Sequence, residues 1–553
     1  NKEPEEVEDT FLQSLRALHK TFCTRDDLIR AYPEAVRGNL RSLLLWSVMW
    51  GLTIDQARPF LEPHREELSK LVRLVEEAER ASKLPKVYAF AAYLGQRFGC
   101  TYLIDIGCRV PTALAQLCTK FRVIGVHSFG KPPFYDQQEG FPMWIEKDLN
   151  KPGTIPLPEG ILEKAAILCI DVIQDLSDPT HLVQNLGSWL DQAPICIVTV
   201  PQRKSDIRRN ADHPVSNVLT PQRWTKVELE KTLRSKSFNL AFTGVTARDS
   251  FHPEEQTTVA VIEKNVSPMQ RSQVSLRIAP SNFRVVAFMK VYNEQDVILS
   301  SIRHLIRQGV HVYVIDNWST DSTYELVTQL KAEGVVRVER FPRSGPSEYW
   351  NYWEYLRHVE KLTRQIKADW FMNNDADEIR VCPWPGVTLR DGIYAVDQSR
   401  FNCISYTVIE FPPVDNEYVP NSSMERHFKY FEFGKHPAYS VQAQTWKSSG
   451  QHVDLTSHAG HDVQFEGRRI YPYRFLLKHY PIRSQAHGER KVFEERKPRF
   501  HPFMKSIGWA THYDHIQKGH PFLRKPSELQ LFDEQSFNDF YVVERLSGIG
   551  LFD

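Results

Sequence analysis

The chain of 553 residues lacks the long apolar runs, the charge imbalance and the clustered cysteines that mark several protein classes. Its longest apolar runs, such as residues 43–52, fall well short of the ~20 residues that a membrane-spanning helix needs. Lys and Arg number 69 against 68 Asp and Glu, so no basic surface for nucleic acid is indicated. The eight cysteines form no Cys-x-x-Cys pair, which favours reduced thiols over a metal site or a disulfide framework.

Targeting signals and repeats are also missing. Residues 1–9 are acidic, without a basic region or an apolar stretch, so we expect no signal peptide. Neither an internal repeat nor a low-complexity tract is present. A chain of this length is too long for one hydrophobic core, and we expect about three domains in a cytoplasmic protein.

The most informative segment is an apolar strand, residues 370–374, that runs directly into Asp375-Ala376-Asp377-Glu378. Alternation along a strand places Asp375 and Asp377 on the same side of its carboxyl end. Carboxylate oxygens in that position suit a divalent cation that holds a diphosphate. Because Asp377 lies at a strand edge, we expect it to contribute little to the core.

Two earlier segments have the same form, a β-type run that ends in polar residues. Residues 285–294 end in Tyr292-Asn293-Glu294, and residues 312–323 pass through Asp316 into a Ser- and Thr-rich helix start. Helical apolar spacing follows each of them. The alternation of strands and helices predicts a parallel sheet with a nucleotide-binding edge.

In their order and spacing, three motifs resemble those of family-2-like glycosyltransferases of the GT-A fold. The motifs are Tyr292-Asn293-Glu294, Asp316-Asn317-x-Ser319-x-Asp321 and Asp375-Ala376-Asp377-Glu378. The resemblance implies transfer of a sugar from a nucleotide-sugar donor to a hydroxyl group, with inversion and with Mn²⁺ or Mg²⁺. It implies a glycan or lipid-linked acceptor in polysaccharide or lipopolysaccharide synthesis, and a membrane association only through that acceptor.

The resemblance also implies the roles of individual residues. The expected donor-binding residues are Tyr292, Glu294, Asp316, Asp375, Arg483 and Arg490. Asp316 would recognise the base and Asp375 would lie over the ribose, while Asp375, Asp377 and His479 would hold the metal. The departing diphosphate needs a cation and basic side chains, for which Arg483, Arg490 and Lys491 are candidates.

The general base of an inverting transferase must accept the proton of the acceptor hydroxyl. In the family it is an acidic residue well downstream of Asp-x-Asp, which leaves Asp462 and Asp454 as alternatives. Both are also residues typical of turns. An aromatic run, residues 349–355, would stack on sugar rings or, given its helical spacing, pack in the core.

Residues 91–265 resemble class I S-adenosylmethionine-dependent methyltransferases in their order of strands and helices, with a last antiparallel pair of strands. The residues matching that family's cofactor motifs are Asp105, Gly107, Asp148 and Asp171. Arg109 and Pro111 stand where glycines let the backbone approach the cofactor, and His127 stands where a carboxylate accepts the ribose hydroxyls. We therefore expect S-adenosylmethionine to bind weakly or not at all.

The sequence thus predicts an α/β multidomain protein. The expected divisions are a helical region at 1–90, a Rossmann-like methyltransferase-type domain at 91–265, a linker at 266–281 and a GT-A glycosyltransferase domain at 282–553. A glycosyltransferase is the favoured function. A bifunctional methyl- and glycosyltransferase, and an inactive nucleotide- or carbohydrate-binding scaffold, remain alternatives.

Overall fold

The structure is a computed structural model. It describes residues 85–108, 117–127, 143–202, 225–247, 256–265, 278–434, 442–501 and 513–549. The helices predicted before residue 85, the turn with Arg109 and Pro111, and most of the predicted linker lie outside these ranges.

The first sheet has seven strands in the order β3-β2-β1-β4-β5-β7-β6, with β7 antiparallel to both neighbours and the other pairs parallel. Its strands are β1 (Tyr102–Ile106), β2 (Arg122–His127), β3 (Met143–Glu146), β4 (Ala165–Ile170), β5 (Ile195–Pro201), β6 (Asn239–Ala247) and β7 (Gln256–Glu263). Its helices are α1 (Pro85–Arg97), α2 (Thr180–Trp189) and α3 (Lys226–Ser235), with short 3₁₀ turns at Leu162–Lys164 and Ile173–Asp175.

The central strands of this sheet are apolar on both faces because helices cover both sides. Helix α3 begins with a capping box in which Thr225 and Glu228 satisfy each other's backbone N–H groups. Helix α1 runs through residue 90, where the sequence placed a domain boundary, and its residues Val87 and Phe90 are fully buried in the core.

The second sheet follows the order β10-β9-β8-β11-β15-β13-β14-β17, and β12 joins it by pairing with β16, which pairs with β13. Its strands are β8 (Val285–Val291), β9 (His311–Asp316), β10 (Val335–Arg340), β11 (Trp370–Asp375), β12 (Glu378–Val381), β13 (Cys403–Glu410), β14 (Tyr430–Phe433), β15 (Gln442–Lys447), β16 (Phe475–His479) and β17 (Gln530–Leu531).

Eight α-helices of the described residues follow residue 284. They are α4 (Ile298–Arg307), α5 (Thr323–Gln329), α6 (Tyr352–Thr363), α7 (Leu389–Gln398), α8 (Met424–His427), α9 (Gln485–Glu489), α10 (Glu534–Phe540) and α11 (Val542–Ser547). A π-helix spans Arg490–Arg496, and 3₁₀ turns span Leu330–Ala332, Lys497–Arg499 and Pro526–Glu528. Strands β10, β9, β8 and β11 are parallel, so their carboxyl ends share one edge.

The predicted α/β class is confirmed, with one Rossmann-like sheet and one sheet of GT-A type. None of the helices in the described part of the chain has the length and apolar character needed to cross a membrane.

The last helix, α11, joins the two sheets. All six of its residues are buried, and it contacts β6 and α1 on one side and β13 and β16 on the other. Glu544 accepts a 3.2 Å hydrogen bond from Thr246 and lies 3.6 Å from the ammonium of Lys86. Thr407 of β13 donates a 2.8 Å hydrogen bond to the carbonyl of Arg545. The C-terminal residues therefore complete the core of the N-terminal sheet.

Candidate functional site

A cavity of ≈ 370 Å³ lies at the carboxyl ends of β8, β9 and β11. Among the residues that line it are Lys290, Asp375, Asp377, His479 and Lys491. Ligands of open α/β sheets bind at this edge, because the loops after parallel strands converge there.

Asp375 ends β11 and is one-third exposed. Its carboxylate lies 2.8 Å from the ammonium of Lys290, at the end of the neighbouring strand β8, and its backbone N–H donates a 3.0 Å hydrogen bond to Glu378. Lys290 also lies 4.6 Å from the ring centre of Tyr352. Burial opposes the charge of Lys290, but Asp375 and the ring hydroxyls nearby raise its pKa. Lys290 is thus held charged beside Asp375 at the mouth of the sheet.

Asp377 is buried, with 6% of its surface exposed, and its contacts are cationic. One oxygen lies 2.8 Å from the ammonium of Lys491 and 3.8 Å from Arg483, and the other lies 3.8 Å from His479 Nε2. Burial alone would raise the pKa of Asp377, but Lys491, and then His479 and Arg483, hold it well below its usual range. The expectation that Asp377 contributes little to the core is wrong, because three buried cations depend on it.

His479 ends β16 opposite Glu378 and lies between two carboxylates. Its Nδ1 is 3.6 Å from Glu410 and its Nε2 faces Asp377. Burial opposes its charge, but the hydrogen bond with Glu410 and the charge of Asp377 raise the pKa of His479 to about 9. Two ligands of one ion are roughly 3–4 Å apart at metal–ligand distances of about 2 Å. The 3.8 Å separation of Asp377 and His479 fits that spacing, but the raised pKa means that the imidazole must first release its proton to bind an ion.

Arg483 and Arg490, both predicted to bind the donor, lie beside the cavity rather than in its lining. The guanidinium of Arg483 is 1% exposed and is taken up by Glu294 at 2.6 Å and by Asp296 at 2.8 and 2.9 Å. Arg490 pairs with Glu495 at 3.4 Å. Arg483 therefore fixes Glu294, which does line the cavity.

The ligand atoms of Glu294, Asp296 and His487 also lie close together, within 4.8 Å of one another. Arg483 hydrogen-bonds both carboxylates of this cluster, and its charge replaces that of an ion. Asp377 is likewise neutralised by Lys491 and Arg483, so an ion at Asp377 and His479 would have to displace the ammonium of Lys491.

The strand end of β9 forms a floor for the cavity. Asp316 is fully buried, accepts hydrogen bonds from the backbone N–H of Ser319 at 3.2 and 3.3 Å, and lies 3.6 Å from Arg340. Burial raises the pKa of Asp316, against the effect of those hydrogen bonds. Tyr292 follows the neighbouring strand β8, and the guanidinium of Arg499 lies 3.7 Å from the centre of its ring. Tyr292 and Asn317 line the cavity, and Asp316 lies behind them.

The two candidate bases are not in the cavity lining. Asp462 follows the lining residue His461, and its carboxylate binds Arg468 and Gln464. Asp454 accepts four hydrogen bonds from the backbone N–H groups and hydroxyls of Thr456 and Ser457, three of them at 2.8–3.0 Å. Burial opposes this effect, but the bonds from Ser457 and Thr456 lower the pKa of Asp454 to about 2. Asp454 is thus engaged as a turn residue.

Sequence reasoning missed Lys290, Arg496 and Arg499, all of which line the cavity. Arg496 ends the π-helix and makes no ion pair with any described carboxylate, while Arg499 also hydrogen-bonds Asn317. A π-helix changes which side chains share a face, so helical spacing did not indicate that Lys491, Glu495 and Arg496 would all point to one cavity. The richness of residues 490–499 in Arg and Lys was the available signal.

The aromatic run is divided between the core and the cavity, and stacking on sugar rings stays a prediction. Tyr355 is fully buried, whereas Trp350 and Tyr352 line the cavity. Trp350 donates a 2.9 Å backbone hydrogen bond to the carbonyl of Arg499 and bridges Phe500, so the two segments form one wall.

In the first sheet, Asp105 is buried and accepts a 3.1 Å hydrogen bond from Tyr88. Burial raises the pKa of Asp105 to about 7. Gly107 follows with φ +71°, and a Cβ there would lie 2.4 Å from Val172, so only glycine fits. His127 is buried with its ring edge-on to Trp144 at 5.6 Å.

The other two residues matched to the methyltransferase motifs accept hydrogen bonds from nearby residues of the first sheet and its loops. Asp171 accepts a 2.9 Å hydrogen bond from Thr199, and Asp148 caps the backbone of Asn150 at 3.0 Å. The described residues thus offer Gly107 and a buried carboxyl at the strand end, but no acidic residue at the end of β2, where the ribose would bind.

Comparison with known proteins finds a family model that matches part of the second sheet. Residues 287–459 match the model described as Glycosyl transferase family 2. This segment contains Tyr292, Asp316, Asp375 and Asp377, and the predicted resemblance is confirmed. The chain therefore contains a glycosyltransferase domain of family 2. No curated protein matches the sequence.

Among solved structures, TarS 1–349 of S. aureus in complex with UDP is 12% identical, with a TM-score of 0.22 over 36% of this chain. The chain spans 61% of that TarS fragment. A SAM-dependent methyltransferase of Aquifex aeolicus is 13% identical, with a TM-score of 0.24 over 36% of this chain and 98% of the other.

Glucosyl-3-phosphoglycerate synthase of Mycobacterium tuberculosis, in complex with Mn²⁺ and UDP-glucose, is 20% identical. Its TM-score is 0.14 over 18% of this chain and 35% of the other. Likenesses this low add nothing to the assignment, which rests on the family model and the motifs.

Proposed function

We propose that the cavity at the end of β8, β9 and β11 binds a nucleotide-sugar donor with a divalent cation and transfers the sugar, with inversion, to a hydroxyl group. The observation that supports this most directly is that Asp375, Asp377 and His479 line the same cavity as Lys491 and Arg496. Carboxylate and imidazole ligands beside basic residues suit a metal-bound diphosphate.

In this proposal Asp377 and His479 hold the cation, with Asp375 beside them. A bound cation would offset the charge that develops on the leaving nucleoside diphosphate. Lys491 and Arg496 supply further positive charge inside the cavity, and Lys290 fixes the orientation of Asp375.

The base of the nucleoside would lie on Tyr292 and Asn317, with Asp316 behind them. Arg499 contacts both of these residues, which holds that surface in place before the donor binds. Arg483 acts indirectly by positioning Glu294, and the direct donor contact predicted for it is replaced here by that positioning role.

We propose Asp462 as the general base in preference to Asp454. Asp462 is adjacent to a lining residue and bonds only to side chains, which can rearrange when an acceptor binds. Asp454 is held by backbone N–H groups that its turn requires. A base must come within hydrogen-bond distance of the acceptor hydroxyl, which a short movement of the 459–462 loop would allow.

The finer assignments are proposals as well. We propose the domain divisions predicted from the sequence, with the boundary at residue 90 moved to the start of α1. We also propose a glycan or lipid-linked acceptor in surface polysaccharide synthesis, and a cytoplasmic location with membrane association only through that acceptor. The first sheet would serve as a scaffold for the transferase, because its β2 strand ends in His127 packed against Trp144.

Calorimetric titration with a panel of nucleotide sugars in Mn²⁺ tests the proposal. We expect one donor to bind in Mn²⁺ and to lose most of its affinity in EDTA or in Asp377→Asn. Asp369→Asn is the matched control, since it removes an exposed carboxylate just before β11, at the opposite end of the strand. Equal binding in EDTA, or by Asp377→Asn, would show that the metal site is misplaced.

A further inference from the structure

A second cavity, of ≈ 230 Å³, shares no lining residue with the donor cavity. It is enclosed by the turn at residues 381–388, strand β16 and helix α10, near the joint between the two sheets. No role in donor binding or transfer requires it.

The charges that line this cavity are mainly positive. Arg474, Lys478 and Arg545 line it, and the only carboxylate among the lining residues is the exposed Glu534. Lys478 is paired with Glu425 at 2.5 Å, outside the lining. Positive side chains therefore outnumber the carboxylate by three to one among the described residues of the lining.

Arg545 is the most informative residue of this cavity, because it is buried and forms no ion pair with a described carboxylate. It is 7% exposed, its guanidinium lies 5.6 Å from the ring centre of Phe242, and the carboxylate of Asp539, which opposes the effect of its burial, is paired with Lys226. Its Nε donates to the carbonyl of Asn538 at 3.3 Å and its Nη1 to that of Pro383 at 3.5 Å, while Nη2 donates to none of the described residues.

These two bonds are long, and neutral carbonyls do not compensate a buried guanidinium. Burial, opposed only by Asp539, lowers the pKa of Arg545 to about 10. A buried cation that lines a cavity and keeps free donors is suited to receive an oxyanion, which takes two parallel N–H bonds from one guanidinium.

The size of the cavity limits the ligand. Its volume equals that of roughly eight water molecules at about 30 Å³ each, below the 300–1,000 Å³ typical of pockets for larger ligands. A nucleotide sugar does not fit, whereas a single phosphate group does.

We infer that the cavity at Arg545 binds a small oxyanion of the phosphate class, either free phosphate or the phosphate end of a small metabolite. This site is independent of the proposed transferase reaction, and its failure would leave that proposal untouched.

Thermal unfolding of the full chain in increasing inorganic phosphate tests the inference, with NaCl holding the ionic strength constant. We expect phosphate to raise the melting temperature of the wild type, and half-maximal stabilisation to need at least tenfold more phosphate in Arg545→Gln. Arg545→Lys should retain part of the response. Arg303→Gln, which removes an exposed arginine charge, should respond as the wild type does.

A second variant keeps the test decisive if Arg545→Gln does not fold. Glu534→Gln removes the one lining carboxylate from an exposed position, and we expect it to bind phosphate about threefold more tightly or better. Unchanged or weaker binding would overturn the inference.

Three further outcomes would also overturn it. One is a wild-type response no larger than that to NaCl, and another is a response to acetate equal to that to phosphate. The third is a phosphate response that persists in Arg545→Gln but is lost in Arg496→Gln, which would place the anion in the donor cavity.

Discussion

The buried pair of Asp377 and Lys491 gives the sharpest quantitative prediction. Replacing Asp377 by Asn leaves an ammonium that had a carboxylate oxygen at 2.8 Å without its main counter-charge. Removing one partner of a buried ion pair typically costs about 3–5 kcal/mol. Lys491 keeps Glu294 at 3.6 Å, and Arg483 keeps its shorter bonds to Glu294 and Asp296, so we expect the lower end, about 3 kcal/mol.

A double-mutant cycle isolates the pair. Lys491→Met removes the ammonium but keeps most of the apolar stem, so the double variant with Asp377→Asn should recover much of the stability that the single variants lose. We expect an interaction energy of about 2–3 kcal/mol, within the range for residues in direct contact. The free energy of unfolding is measured by urea denaturation in EDTA, so that no added cation occupies the site.

The cycle also has a clear refuting result. Independent sites add within about 0.5 kcal/mol, and an interaction energy below that would show that Asp377 and Lys491 are not paired in solution. Asp369→Asn, outside the cavity, should change stability little and serves as the control for loss of one carboxylate.

Four other predictions concern the general base, the contact between β6 and α11, the buried Asp105 and cofactor binding by the first sheet. Asp462→Asn should lower turnover by about 10²–10⁴-fold without changing donor affinity, and a loss in Asp454→Asn instead would exchange their roles. Gly244→Val should destabilise both sheets in thermal unfolding, because a Cβ there would lie 2.6 Å from Val542 Cβ. Asp105, with a folded pKa raised from 3.8 to about 7, binds its proton more tightly when folded. Relative to Asp105→Asn, the wild type should therefore lose up to about 4 kcal/mol of stability as pH rises from about 4 to about 7. S-adenosylhomocysteine should show no micromolar binding by calorimetry, and such binding would support a bifunctional enzyme.

Much of the site was predictable from the sequence because its chemistry lies at strand ends. The end of each apolar run predicts the end of a parallel strand. The polar residues that follow these strands lie close together, because the carboxyl ends of parallel strands share one edge of the sheet. Asp375, Asp377 and Tyr292 were found in this way, and all of them line the cavity. The last two strands of the first sheet were likewise visible after a helix, and their antiparallel pairing was implied by the resemblance to methyltransferases.

The rest depended on contacts between distant residues. Lys290 is part of an apolar strand in the sequence, and only the parallel pairing of β8 with β11 places it beside Asp375. Asp377 is paired with Lys491, which lies on a π-helix more than a hundred residues later in the chain. Helical periodicity at 3.6 residues per turn does not describe that segment, so its inward-facing residues were not predicted.

The position of α11 has a consequence for the order in which the protein is made. Translation completes β6 about three hundred residues before Val542, yet the core around β6 includes that helix. A nascent first sheet would leave the face of strand β6 that α11 later covers, with Phe242, Gly244 and Thr246, exposed throughout the synthesis of the transferase, and exposed apolar surface favours aggregation. A chain cut after residue 265 would keep that face exposed permanently and would be prone to aggregate, whatever the intrinsic stability of its own sheet.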